Sequence, residues 1–157
     1  MSANPTSQTV FSSAAFNAVD LTRRLIDIES ITYNECAVSQ FLVEFLESRG
    51  FSVETMGVAQ DRESQCQGER FNVYAHTSGE TPDVVFSTHM DTVPPFIPSS
   101  EDADYIYGRG ACDAKGIIAA QIAAAECLRD QGVKAALLFV VGEERDSAGA
   151  KIANLNP

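Results

Sequence analysis

Histidine and cysteine are scarce in this sequence, and acidic side chains outnumber basic ones two to one. Lys and Arg total 11 against 22 Asp and Glu, a formal net charge of −11. Phosphate backbones and anionic lipid surfaces demand Lys and Arg, so this balance excludes nucleic acid and membrane surfaces as expected partners. No apolar run approaches the roughly 20 residues that a membrane span needs. The start, MSANPTSQTVFSSAAF, lacks both a basic side chain and an apolar block, so a secretory signal is not expected. Ser2 stands where myristoylation requires glycine, and the last residues carry no prenylation cysteine. A cytoplasmic location is the resulting expectation. The four cysteines (Cys36, Cys66, Cys112, Cys127) form no Cys-x-x-Cys pair and no dense framework, so reduced, structural thiols are expected. What remains is globular: 45% of the 157 residues are hydrophobic and 21% charged. By length this is one domain, able to bury roughly 68–70% of its unfolded surface.

The Ser/Thr/Ala-rich residues 1–14 are expected to fray. From Phe16 apolar residues recur at helical spacing (Val19, Leu21, Leu25, Ile26, Ile28), and a second helical pattern runs from Glu35 through Phe41, Leu42, Phe45 and Leu46 to Gly50. Two extended runs follow, Phe51–Gly57 and Phe71–Thr77, separated by a polar loop, and then an apolar strand over Asp83–His89. A long loop from Asp91 to Gly110 leads to a third helix over Asp113–Asp130, with KAALLFVV (Lys134–Val141) as the most buried strand. Helices alternating with apolar strands predict an α/β layered fold with a parallel or mixed sheet. Sites in such sheets gather at the carboxyl ends of the strands.

Three such ends carry chemistry-bearing groups. His89-Met90-Asp91 follows the third strand, and alternation places His89 and Asp91 on one side of extended chain. His89 is then either a metal ligand steered by Asp91 or a hydrogen-bonded structural residue. Gly108-Arg109-Gly110-Ala111-Cys112-Asp113-Ala114-Lys115-Gly116 opens the third helix but is neither known phosphate cradle. Asp113 occupies the third glycine position of the dinucleotide fingerprint, and no Gly-Lys-Ser/Thr follows for a P-loop. Asp113 is either an N-cap or a ligand. Gly142-Glu143-Glu144 puts two mutually repelling carboxylates after the buried strand, either as a solvated turn or as a cation ligand beside a general base. His, Asp and Glu together are the hard-to-borderline donors that suit zinc and its neighbours. His76, with no acidic partner nearby in sequence, reads as structural. Arg109 and Lys115 read as braces of the glycine-rich loop.

FSTHMDTVPP, YGRGACDAKG and VVGEE with SAGAK behind it, in that order, resemble the metallopeptidase family of acetylornithine deacetylase, succinyl-diaminopimelate desuccinylase, aminoacylase and carboxypeptidase G. The resemblance implies a three-layer α/β/α zinc-exopeptidase-like catalytic domain with a mixed sheet, truncated here. It implies two divalent metal ions, zinc first, with cobalt or manganese as substitutes. His89 would ligate one ion, Glu144 the other, and Asp113 both. Glu143 would be the general base and Asp91 would orient His89. A metal-bridging hydroxide would cleave an amide bond in N-acyl amino acids or short peptides. Relatives also carry a cis peptide after the bridging aspartate, here Asp113–Ala114. Cys112 is not expected to ligate. On this reading residues 15–157 are the N-terminal part of the catalytic domain. A lid and dimerisation domain and the remaining ligands would lie outside it. Two further readings stand beside this one: a catalytically incomplete, weakly metal-binding half, and an aminopeptidase of a related two-metal fold.

Overall fold

The computed structural model describes residues 16–66 and 68–155. The expected fraying of residues 1–14 falls outside them. Helix α1 (Ala18–Ile26) is capped by Asn17, whose side chain accepts from the amides of Val19 and Asp20 at 2.9 and 3.3 Å. Its apolar stripe buries Leu21, Leu25 and Ile26. Helix α2 (Cys36–Ser48) buries Val38, Leu42 and Leu46 at helical spacing and ends where Gly50 takes a positive φ of 81°. Strands β1 (Ser52–Val58), β2 (Arg70–His76) and β3 (Val84–His89) follow. The loop after β3 is not featureless, as the sequence suggested: a short hairpin, β4 (Ser100–Glu101) and β5 (Ile106–Tyr107), is built into it. Its tip is fixed by Asp102, which accepts from the amides of Asp104 and Tyr105 and from the Tyr107 hydroxyl. Helix α3 (Gly116–Asp130), strand β6 (Ala135–Val140) and helix α4 (Ala148–Ala153) complete the described chain.

The main sheet has the order β1-β2-β6-β3 and is mixed: β1–β2 and β2–β6 are antiparallel, β3–β6 parallel. As the apolar run Lys134–Val141 predicts, β6 is central, and five of its six residues are buried. Alternate residues of β2 and β6 (Val73, Ala75, Leu137, Phe139) join Leu25, Leu42, Leu46, Ile118 and Ile122 in one core beneath α1, α2 and α3. On the other side of the sheet, among the described residues, α4 borders a groove floored by Tyr74 and Leu138. No described helix is long and apolar enough to cross a membrane.

The register positions the site. His89 pairs with Val140, so the parallel strands β3 and β6 end side by side. The segments that follow, Met90-Asp91 and Val141–Glu144, leave the sheet together. His76 pairs with Ala136 at the opposite end of β6, lies 3.5 Å from Glu54, and has no part in this cluster.

The cysteines overturn one expectation. Cys36 and Cys66 form a disulfide across 30 residues of sequence, while Cys112 and Cys127 are free and exposed. Spacing could not show this, because the two cysteines meet only when the β1–β2 loop folds back on the start of α2.

Candidate metal centre

The His89 ring lies between two acidic neighbours. Its Nδ1 is 3.0 Å from the Asp91 carbonyl oxygen and 3.4 Å from the Asp91 carboxylate. A carbonyl oxygen can only accept, so Nδ1 carries a proton and Nε2 is the nitrogen turned toward the other acidic groups. Nε2 faces Asp113 Oδ1 at 2.8 Å and Glu143 Oε2 at 3.8 Å. With acceptors on both sides, the imidazole holds a second proton. The hydrogen bond to Asp91 is the largest cause; burial opposes it, and Asp113 adds to it, so the pKa is raised to about 9.

Asp91 is fully buried and every close partner is a donor. Its oxygens accept from the Thr32 hydroxyl at 2.8 Å and from the amides of Glu143 and Glu144 at 3.0 and 3.1 Å. Burial alone would raise its pKa, but His89, Thr32 and these two amides together hold it below the usual carboxylate value. Asp91 therefore faces His89 from beneath and ties β3's exit to the Glu143-Glu144 turn.

Asp113 is not an N-cap. Helix α3 begins at Gly116, and Asp113 sits in an irregular turn over Ala111–Lys115 with an extended φ of −134° and ψ of 94°. Its side chain goes to His89 and not to a helix amide. The Asp113–Ala114 peptide is cis, as the resemblance implied, and so is Pro94–Pro95. The bracing roles of the two basic residues also appear. Arg109 donates to the carbonyls of Pro95 and Pro94 at 3.2 and 3.4 Å. The buried Lys115 ammonium donates to the Ile28 carbonyl at 2.6 Å, and burial lowers its pKa to about 8.

Ligand atoms of His89, Glu143 and Glu144 lie within 4.8 Å of one another, and Asp113 touches the same imidazole nitrogen. Burial raises the Glu144 carboxyl above its ordinary value; the charges of Asp113, Asp91 and Glu143 push the same way and His89 opposes them. Four carboxylates around one imidazole leave an uncompensated negative charge. One borderline nitrogen and several hard oxygens are the donor set a zinc-like cation takes, so the residues fit the group. Cys112 is absent from the cluster.

Sequence reasoning missed the residues behind this front. Glu35 and Arg70 form a buried bidentate ion pair at 2.8 and 2.9 Å, and Glu35 Oε1 also accepts from the Gly142 amide at 3.1 Å. Asn72 Oδ1 accepts from the Val141 amide at 3.1 Å. Thr32, Glu35 and Arg70 gave no signal, since the partners Asp91, Gly142 and Glu35 lie 59, 107 and 35 residues away in sequence. Asn72 did give one, being a residue depleted in strands within the apolar run FNVYA.

An α/β domain with a histidine and several carboxylates gathered at its strand ends has close relatives. Residues 85–154 match the model of Peptidase family M20/M25/M40. A "Probable carboxypeptidase" of Aspergillus oryzae is 43% identical over 150 residues, covering 86% of this chain and 35% of that protein. A "Peptidase M20 domain-containing protein" of Schizosaccharomyces pombe is 43% identical over 147 residues, covering 90% of this chain and 36% of its own length. A tripeptidase from Staphylococcus aureus superimposes with a TM-score of 0.67 at 25% identity, covering 88% of this chain and 39% of that one. The dipeptidase Dug1p of Saccharomyces cerevisiae shares the fold, with a TM-score of 0.65 at 18% identity over 85% of this chain and 33% of that one. The chain carries a Peptidase M20 family domain. It spans about a third of the length of the curated relatives it matches.

Proposed function

We propose that the protein to which this chain belongs is a metal-dependent peptidase that hydrolyses an amide bond in short peptides. The convergence of His89, Asp113, Glu143 and Glu144 at the ends of β3 and β6 is the observation that carries this reading. The names of its relatives favour the peptide side of the substrate range expected from the sequence over N-acyl amino acids.

His89 Nε2, Asp113 and Glu144 would hold two divalent cations, zinc first. When bound, these supply Lewis acidity toward the scissile carbonyl and the attacking water. Glu143, the half-exposed carboxylate of the adjacent pair, takes the proton from that water and passes it to the leaving amine. Asp91 keeps the proton of His89 on Nδ1, so that Nε2 is free to ligate. Its two amide contacts hold the backbone of Glu143 and Glu144, so the base and the ligand keep a fixed relation to the imidazole. The 157-residue chain alone is proposed to be inactive, because it spans about a third of its relatives' length. Homodimerisation through a lid domain is proposed for the longer protein only. A cytoplasmic location would require the Cys36–Cys66 pair in its reduced form, so the redox state of that pair in acid-quenched extracts tests the location directly.

The roles of the two glutamates separate experimentally. In the full-length protein, Glu143→Ala is expected to keep bound zinc and lose nearly all peptide hydrolysis, whereas Glu144→Ala loses zinc as well. Substantial turnover by Glu143→Ala would remove it as the base. A full-length protein that hydrolyses peptides with no bound divalent metal ion of any kind, and keeps its activity under chelation, would overturn the metallopeptidase reading.

A further inference from the structure

Four consecutive backbone amides after β6 are each held by a buried side-chain oxygen from elsewhere in the fold. Val141 N–H donates to Asn72 Oδ1 and Gly142 N–H to Glu35 Oε1, both at 3.1 Å. Glu143 and Glu144 N–H donate to the two oxygens of Asp91 at 3.0 and 3.1 Å. Asn72, Glu35 and Asp91 come from β2, the start of α2 and the exit of β3, and each is wholly buried. A turn after a strand ordinarily leaves its amides to water. Here each of them has a buried side-chain acceptor, and the turn they fix is the one that carries Glu143 and Glu144.

Two of these acceptors have no contact with the histidine or with the carboxylates. Glu35 carries a buried negative charge that Arg70 balances through both guanidinium contacts, and Arg70 is itself held by the Ala59 carbonyl at 3.1 Å and lies 5.1 Å from the Tyr33 ring. Replacing a buried ion pair by apolar residues of similar size is often neutral for stability, so folding alone gives little reason for this pair. Gly142 supplies the reason: its amide needs an acceptor, and at a φ of 74° a side chain there would meet Arg70 Nη2 at 3.2 Å. Asn72 works the same way from the next strand, donating to Gly149 O at 2.8 Å while accepting from Val141.

We infer that Glu35, neutralised by Arg70, and Asn72 are positioning residues that set the Glu143–Glu144 pair against His89 by anchoring the amides of Gly142 and Val141. This rests on the metal-site reading of the proposed function, and the test separates the two. Co2+ binding to the chain is followed by visible absorption for the unaltered protein, for Glu35→Leu/Arg70→Met and for Glu35→Gln/Arg70→Met. The first variant removes charge and acceptor together and is expected to bind Co2+ about 10–100-fold more weakly. The second restores an acceptor oxygen without the ion pair and is expected to recover most of that loss, which a merely space-filling role would not produce. Equal Co2+ affinity in Glu35→Leu/Arg70→Met and the unaltered chain would overturn the inference. Should that variant fail to fold, amide hydrogen exchange in the unaltered chain decides. Protection of Gly142 and Val141 matching that of β6 supports the anchoring, and exchange at the rate of an open turn refutes it. Absence of any Co2+ binding by the unaltered full-length protein, measured the same way, would instead overturn the metal site, while the exchange at Gly142 would still report on the anchor.

Discussion

Raising the pH of the metal-free chain from 6.5 to 9 should cost it stability, and His89 is the cause. Its pKa is raised from 6.5 to about 9 by the hydrogen bond to Asp91 and the contact with Asp113, against the opposing effect of burial. Below about pH 6.5 the imidazole is protonated in both folded and unfolded chains, and the whole contribution is present. Between 6.5 and 9 the unfolded chain releases its proton while the folded chain keeps it, so stability falls, and above 9 the contribution is gone. At 1.36 kcal/mol per pKa unit the full loss is about 3 kcal/mol, of which about 2 falls between pH 6.5 and 8. The His89 side chain is only 10% exposed, so solvent screening removes little of this. Lys115, lowered to about 8 by burial, acts with the opposite sign. Its unfolded form holds a proton that the folded form releases, so it adds stability as pH climbs above 8. The window 6.5–8 therefore isolates the histidine. Urea denaturation in the presence of a chelator measures the effect, with His89→Gln as the control whose profile should be flat across that window. A bound divalent cation takes the place of the Nε2 proton, so zinc affinity should rise about tenfold per pH unit over the same range. Stability of the metal-free chain that stays level or rises from pH 6.5 to 8 would refute the doubly protonated imidazole.

Two other perturbations probe its surroundings. Gly142→Ala should lower stability by about 1–2 kcal/mol, because the backbone is left-handed there and the new Cβ would stand 3.0 Å from Asp146 Oδ1. Thermal melting with and without zinc checks this, and an unchanged midpoint together with unchanged zinc binding would count against the tight turn. Loss of the Cys36–Cys66 bridge, by reduction or by a double alanine substitution, should cost about 3–4 kcal/mol for a closed loop of this length. Denaturation midpoints that do not respond to reductant would exclude the bridge.

Most of the framework could be read from the sequence. The apolar run Lys134–Val141 marked the central strand, and the spacing of Leu21, Leu25, Leu42 and Leu46 marked two helices that pack over it. The prospective ligands were legible because carboxylates and histidine at strand ends have little to offer a hydrophobic core. What hid was everything that depends on residues distant in sequence. On its local sequence the Asp113 carboxylate reads better as a cap, until His89 is seen 2.8 Å away. Glu35 lies 107 residues from the amide it serves, and no periodicity links them. The Cys36–Cys66 bridge needs the β1–β2 loop folded back on α2, which no local pattern specifies.

The parallel pairing of β3 with β6 has a consequence for how folding and cation binding are linked. His89 and Glu143 are brought together only when the crossover through α3 has closed and the two strands have paired in register. Closing so long a loop costs chain entropy before any of its contacts are gained. The cluster exists only once these strands are paired, and an unfolded chain presents no such donor set. A cation that recognises it acts as a ligand of the native state alone, drawing the folding equilibrium forward by an amount that grows with the logarithm of its free concentration. Metal supply and folding yield would then rise and fall together in whatever cell makes this protein.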